Sequence, residues 1–295
     1  MNFLNSTAYT LNETGTSTDR LNYLLKIKDF LINISDYTLI LYDTSNSEHY
    51  LVLQRRDEFY HFKTYTGTSL QGIKFFCSYG YDTGVSFESQ SSETLEILTI
   101  PLDLNIDQYY FYDNGKNTIF VTEYQLGYYS FLNFGITTSL GSQKNLFAIS
   151  NLSTLANTIG NVDSNYIAFL YDYNSFNTII YFINEIEINK SYLKSNVFST
   201  NIDSINTNFL SNSKIKLNEK GLLFTPIMYE KAGSLHKPQL EFSDVFLAAS
   251  DFYEIAEEFT IGSRDFISFP MYQKTIPSNY NDIKSRGLCL IVRTL

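Results

Sequence analysis

The sequence predicts a mainly β fold, an antiparallel, β-sandwich-like arrangement preceded by one amphipathic helix. Three observations predict it. Aromatic residues make up 16% of the 295 positions, as 24 Tyr and 24 Phe with no Trp, and such rings suit the pleated, half-buried surface of a strand. From residue 36 onward, short apolar runs are separated by turn residues about every ten positions. No internal repeat emerges that would signal a propeller or a solenoid.

Composition bounds the function classes. A hydrophobic fraction of 44% against 18% charged residues is that of a globular chain. A chain of this length buries enough surface to fold without a disulfide or a metal. The 21 basic and 31 acidic residues give a net charge of −10. This argues against nucleic acid as a partner, because phosphate binding rests on clustered Lys and Arg. Met1-Asn2-Phe3-Leu4-Asn5-Ser6-Thr7 lacks the basic-then-apolar pattern of a signal peptide. No run approaches the roughly 18 apolar residues of a membrane helix, so no membrane is expected as a partner.

The elements follow in order. Residues 1–35 form an arm and a helix. The arm is rich in Thr, Asn and Ser and reads as a segment outside the core, suited to docking on a neighbouring subunit. Thr18 or Asp19 caps the helix, Leu21, Leu24, Leu25, Lys28, Leu31 and Ile32 share its apolar face, and Asn33 and Ser35 end it. Lys28 lays its stem along that face with its amine in water.

Residues 36–183 are the main β domain. Tyr37 to Tyr42 and Tyr50 to Gln54 form a hairpin, Ile73 to Tyr79 a third strand, and Asp107 to Tyr112 with Asn117 to Tyr124 a second hairpin. Its turn carries Asn114 and Gly115, a pair that accepts the positive φ of a tight turn. Tyr128 to Phe134, Leu146 to Ser150, Tyr166 to Tyr171 and Thr178 to Ile183 continue the series. Residues 184–220 read as an inserted polar lobe or loops. Residues 221–295 are a C-terminal β segment, a candidate to complete the main sheet, with strands at Leu222 to Met228, Val245 to Ala248, Phe266 to Met271 and Gly287 to Arg293, and a short helix at Asp251 to Phe259.

Chemistry-bearing constellations are weak. His49, His61 and His236 have no partner at metal-ligand spacing, and each reads as a loop or strand histidine. Cys77 and Cys289 lie inside apolar strands and read as small buried hydrophobes. Glu185 and Glu187 share a strand face, but glycan hydrolysis needs two carboxylates across a cleft. Asn161, Asp163 and Asn165 have the alternation of a calcium loop's first half, without its glycine and closing glutamate. No phosphate-loop, dinucleotide, nucleophile-elbow or zinc-protease motif occurs. The residues therefore predict no catalytic residue, no metal and no cofactor.

One block stands out: Cys77-Ser78-Tyr79-Gly80-Tyr81-Asp82-Thr83-Gly84-Val85-Ser86-Phe87-Glu88-Ser89-Gln90. Gly80 and Gly84 bracket a turn in which the glycines permit positive φ and Asp82 can bond its own backbone, and Val85 and Phe87 then open a further strand. The hairpin with Tyr109-Tyr110-Phe111-Tyr112, Asn114-Gly115 and Ile119-Phe120-Val121 follows, then Tyr128-Tyr129-Ser130-Phe131 with Gly135 beyond. This order resembles a poorly characterised family of virion structural proteins of tailed bacteriophages. Asp244-Val245-Phe246, an acidic Glu254 to Glu257 segment and the last strand near Val292-Arg293 are similar as well. The chain departs from the pattern in lacking a tryptophan near the first block and in carrying Thr137-Thr138-Ser139-Leu140-Gly141-Ser142 where a Pro- and Tyr-rich loop is expected.

The resemblance implies a non-enzymatic structural subunit of the virion, in tail, neck or baseplate, made in the host cytoplasm. The implied partners are other virion proteins and copies of itself in a ring or other multimer. Tyr109, Tyr110, Tyr112, Tyr128 and Tyr129 are the contact candidates, because a tyrosine ring offers apolar area with a polar tip. Alternation along the strands must send some of them into the core. A carbohydrate- or receptor-binding module of the same particle, with a host glycan or receptor as partner, is the alternative, and a glycan-degrading enzyme comes last.

Overall fold

The computed structural model describes residues 2–6, 17–66, 71–90, 97–101, 106–124, 128–136, 138–139, 146–150, 180–182, 191–195, 215–218, 221–224, 227–232, 235–241, 245–249, 256–270 and 288–293. They form a mainly antiparallel β protein with a single α-helix among the described residues. Strand β1 (Asn2–Ser6) precedes helix α1 (Ser17–Asn33). Strands β2 (Thr38–Asp43), β3 (Tyr50–Arg55), β4 (Glu58–Thr66), β5 (Gln71–Ser78) and β6 (Ile97–Pro101) make a front sheet in that order. Next come β7 (Ile106–Asp113), β8 (Asn117–Tyr124), β9 (Tyr128–Ile136), β10 (Thr138–Ser139) and β11 (Leu146–Ser150). A middle sheet has the order β1-β7-β8-β9-β11.

The remaining strands are β12 (Ile180–Phe182), β13 (Ser191–Ser195), β14 (Ile215–Asn218), β15 (Gly221–Phe224), β16 (Ile227–Ala232) and β17 (Leu235–Glu241). They are followed by β18 (Val245–Ala249), β19 (Glu258–Ile261), β20 (Arg264–Pro270) and β21 (Leu288–Arg293). These complete a back sheet, β14-β15-β18-β21-β20-β19, and a fourth sheet, β10-β17-β16-β13-β12.

The front and middle sheets face each other as the sequence predicts for a sandwich. Alternation sends Leu51, Leu53, Tyr60, Phe62, Ile73, Phe75 and Cys77 of the front sheet inward, where they meet Phe111, Phe120, Leu132 and Phe134 of the middle sheet. Phe134 is the hub: its ring lies 4.7 to 5.7 Å from those of Tyr60, Phe62, Phe75 and Phe120. Helix α1 fills the remaining width. Tyr23 packs edge-on against Tyr109 and Phe111, and Phe30 packs on Phe111 and Phe120. Tyr23, Leu24, Ile27, Phe30 and Leu31 are its buried stripe, each contributing about 2 kcal/mol by leaving water. The Tyr23 hydroxyl keeps a partner in the core, Thr122 Oγ1 at 2.5 Å.

The middle sheet is buried on its other face too. Tyr110, Tyr112, Ile119 and Val121 point away from the helix and are sealed, and Tyr110 packs 4.7 Å from Phe269 of the back sheet. A strand covered on both faces has no polar side, which is why β7 reads as an unbroken aromatic run.

One polar cluster spans the sandwich at the end where two hairpin turns meet. Arg55, the last residue of β3, forks onto Asp113, the last of β7, at 2.7 and 3.0 Å, with both side chains 5% exposed or less. Arg55 Nη1 also donates to the Tyr37 hydroxyl, which donates to Thr118 Oγ1, which in turn donates to Asp113 Oδ1. The ring closes with every proton assigned. Burial works against the guanidinium's charge, and the hydrogen bond with Asp113 together with the attraction of Tyr37 and Asp113 more than offsets it, so the group stays charged.

Several expectations are corrected. The first residues are not only an arm: Asn2–Ser6 pair with β7, Asn2 opposite Asp113 and Ser6 opposite Tyr109, because β7 offers a free backbone edge. The helix buries the expected Leu24 and Leu31 together with Tyr23, Ile27 and Phe30, whereas Leu21, Leu25, Lys28 and Ile32 are half-exposed, so the apolar face is rotated in part from the expected one toward its aromatic side. Lys28 is bonded to Asp29 at 3.0 Å, and its amine stands over the Tyr42 ring. Strand β4 is additional to the expected series. The run Leu222 to Met228 is broken into β15 and β16, and Glu258 and Phe259, the end of the expected short helix, open the strand Glu258–Ile261 paired with β20. Most of the expected polar lobe at 184–220 lies outside the described residues, and β13 and β14, which fall within that range, join sheets.

Candidate functional site

The block that stands out in the sequence folds as a strap across the outer face of the front sheet. Alternation puts Tyr50 and Val52 of β3, Phe59, His61 and Lys63 of β4, and Phe76 and Ser78 of β5 on that face. After β5 the chain turns at Gly80 and Gly84 and returns as a short 3-10 turn, Phe87–Ser89. Phe87 plugs into the sheet, 5.4 Å from the Tyr50 ring and 4.8 Å from Phe76, and Tyr81 stacks on Phe59.

Gln90 holds the strap's own shape, and Lys63 ties it to the sheet. The Gln90 amide accepts from the Asp82 N–H at 3.0 Å and donates to the Asp82 and Val85 carbonyls at 2.8 and 3.0 Å. Lys63 bonds Glu48 at 2.9 Å and also reaches Glu88 on the strap. The hydrogen bond from Lys63 holds the Glu88 carboxyl below the usual carboxylate range.

Beneath the strap lies a hydrogen-bond relay, buried at His61 and Ser78 and ending at the exposed Gly80. Tyr50 Oη is 2.7 Å from His61 Nδ1, His61 Nε2 is 2.8 Å from Ser78 Oγ, and Ser78 Oγ is 2.6 Å from the Gly80 carbonyl. That carbonyl can only accept, so Ser78 donates to it. Satisfying all three bonds then places the imidazole proton on Nε2 and makes Nδ1 the acceptor from Tyr50. The ring stacks on Phe76 at 4.2 Å, and burial lowers its pKa from the ordinary 6.5 to about 3. A serine, a histidine and a third group in line evoke a nucleophilic triad, but the protons run the wrong way. A catalytic base needs a bare nitrogen to take the serine proton, and here that nitrogen donates while the serine proton is held by a backbone carbonyl. The relay is built to fix the start of the strap.

Tyr109, Tyr110 and Tyr112, three of the contact candidates, are buried within the chain. In the isolated chain they supply its own core, two-sided because the middle sheet is covered on both faces. Tyr128 and Tyr129 sit on β9 opposite Tyr124 and Glu123, and their side chains lie outside the described residues. Among the turn residues, Gly84 and Gly115 take positive φ, 83° and 84°, and Gly80 does not. Gln90 rather than the Asp82 side chain holds the first turn. Asn114 Oδ1 accepts from Lys116 and Asn117 N–H at 2.9 and 2.7 Å and closes the second.

The expected strand at Val85 and Phe87 is instead the 3-10 turn, because Gln90 captures the backbone of that stretch. Gly135 is required by a close approach: at φ 141° a Cβ there would stand 2.1 Å from the Lys116 carbonyl oxygen. Cys77 is a buried thiol in the dry core, outside any disulfide. His49 is buried, its backbone N–H donating to Thr64 Oγ1 at 2.8 Å. His236 and Cys289 lie on β17 and β21, with side chains outside the described residues. Glu185, Glu187 and the Asn161–Asn165 loop fall outside them altogether.

A different surface is left open. Among the described residues, the large hydrophobic side chains exposed to solvent are Ile34 and Leu39, at 40% and 42%. Both sit where α1 hands over to β2, the edge strand of the front sheet. β2 reads Thr-Leu-Ile-Leu-Tyr-Asp, with a bulge between Leu39 and Leu41. It carries neither the lysine nor the proline that commonly guards an edge. The signal was present in sequence as an apolar strand, without a charge before Asp43, following a helix end, but only the sheet order reveals that its outer side has no partner strand among the described residues. No helix among the described residues is long and apolar enough to cross a membrane, and no group of three metal-ligating side chains gathers there. No protein-family model matches this chain, and no curated protein matches it in sequence.

Proposed function

We propose that the chain is a non-enzymatic structural subunit of a tailed-phage particle, in tail, neck or baseplate, assembling with copies of itself and with other virion proteins. The observation that carries this reading is the β2 edge: a half-apolar strand charged only at its last residue, Asp43, with Leu39 in it and Ile34 beside it open to water. Exposed apolar surface at an unguarded edge is what a neighbouring subunit covers, by strand pairing along the backbone and by packing on the two side chains. The resemblance of the strap block and of the Asn114-Gly115 hairpin to virion structural proteins supports the same reading. Burial of Tyr109, Tyr110 and Tyr112 moves the expected contact from those rings to the β2 edge.

A net charge of −10 makes copies repel at long range, so association should strengthen as salt is raised. The test is sedimentation of the purified chain and of Leu39→Asp, which adds a charge at a surface position. The wild-type chain is expected to form multimers, and the variant to stay monomeric with unchanged circular dichroism. A wild-type chain that is monomeric at every concentration and salt, and missing from purified particles, overturns the proposal.

A further inference from the structure

The strap rests on an imidazole that stays neutral in mild acid only while it is covered. We propose that residues 79–90 form an acid-released strap, closed over the outer face of the front sheet near neutral pH and lifting from it as the solution is acidified toward pH 5. The geometry supplies each part. The two hinges, Gly80 and Gly84, are exposed, with no heavy atom within 4 Å of where a Cβ would stand. The moving piece is small, kept in shape by the Gln90 clasp and held to the sheet by Phe87, Tyr81 and the Lys63–Glu88 pair. The sensor is His61, whose cover includes Tyr81 of the strap at 6.2 Å and whose relay ends on the Gly80 carbonyl.

The surroundings of His61 leave a proton nothing to compensate it. Among the described residues, β3 presents the Tyr50 hydroxyl, β5 presents Ser78 and the Phe76 ring, and the strap presents Tyr81. The charged groups of this face are Lys63 and Lys74 on the sheet and Glu48 and Glu88 at its rim. Lys63 is engaged by the two glutamates. A proton entering the closed site would thus meet a neutral hydroxyl and ring faces with no carboxylate against the imidazole, at a side chain buried from solvent.

The sign follows. Covered, the ring resists protonation, because burial depresses its pKa; lifted into water, it recovers the ordinary value of 6.5. Below that pH the open form takes up a proton that the closed form refuses, so closure is fully stable above pH 6.5 and weakens as the pH falls toward 3. Each unit below 6.5 multiplies the open population by about ten, roughly thirty-fold at pH 5 relative to pH 8. Glu88, held below the usual carboxylate range, stays ionised through this window, so the effect there belongs to the histidine. Lifting the strap uncovers Tyr50, Val52, Phe59 and Phe76.

The measurement is amide hydrogen exchange of the full chain at pH 5 and pH 8, corrected for intrinsic rates and compared between residues 79–90 and the β8–β9 hairpin. Protection of the strap is expected to fall about thirty-fold at pH 5 while the hairpin changes far less. In His61→Gln, whose amide can accept from Tyr50 and donate to Ser78 without titrating, the pH dependence of the strap is expected to vanish. If the wild-type strap keeps the same protection at both pH values, or falls only in step with the hairpin, the proposal is overturned.

Discussion

Strand β4 has two faces that solve burial differently. Its inward residues Tyr60 and Phe62 join a dry interior in which rings pack on rings. Its outward residues Phe59, His61 and Lys63 lie under the strap, where each ring neighbours a hydrogen bond or an ion pair. The inner face is closed by two sheets and a helix, and removing any part exposes the whole. The outer face is closed by a dozen residues fastened through named polar contacts, and it can open by itself. Dry packing makes a global unit, and polar fastening makes a local one.

The contrast can be broken most forcefully at Phe134. Truncating it, Phe134→Ala, empties a site bounded by four other rings and should cost about 4 kcal/mol, read as a lower urea midpoint for the whole chain. Gln90→Ala removes three strap bonds and should cost about 1–2 kcal/mol, seen as faster exchange in residues 79–90 with the global midpoint nearly unchanged. Should Gln90→Ala lower the global midpoint as far as Phe134→Ala does, the two faces are one cooperative unit. The smallest change is Glu88→Gln. Half-exposed and screened, that pair should be worth no more than about 0.5 kcal/mol, and the difference between variant and wild type should disappear in high salt.

Much of the fold was legible because alternation and turn chemistry are local. The antiparallel β class, the helix, and the hairpin around Asn114-Gly115 follow from residues adjacent in sequence. What was not legible depended on distant partners. The Tyr109 to Tyr112 run looked like a contact surface because nothing in it says that a back sheet supplies Phe269. Val85 to Ser89 looked like a strand because the amide that bends it belongs to Gln90. The helix face was misjudged because leucines were weighed above Tyr23 and Phe30, whose rings are chosen by Phe111 and Phe120. Of the candidate site, the turn glycines could be read. The relay could not, since Tyr50, His61 and Ser78 come from three different strands.

The Arg55–Asp113 fork reaches further than its energy. Both residues end their strands beside a turn, and both point inward only if each hairpin is in step. Slide either strand by a single residue and its ionic end swings to the opposite side, leaving the other charge stranded in an oily interior at a cost of about 3–5 kcal/mol. The pair is thereby a checksum on two hairpins at once: it adds little to the correct fold over an apolar pair, yet penalises every misaligned one.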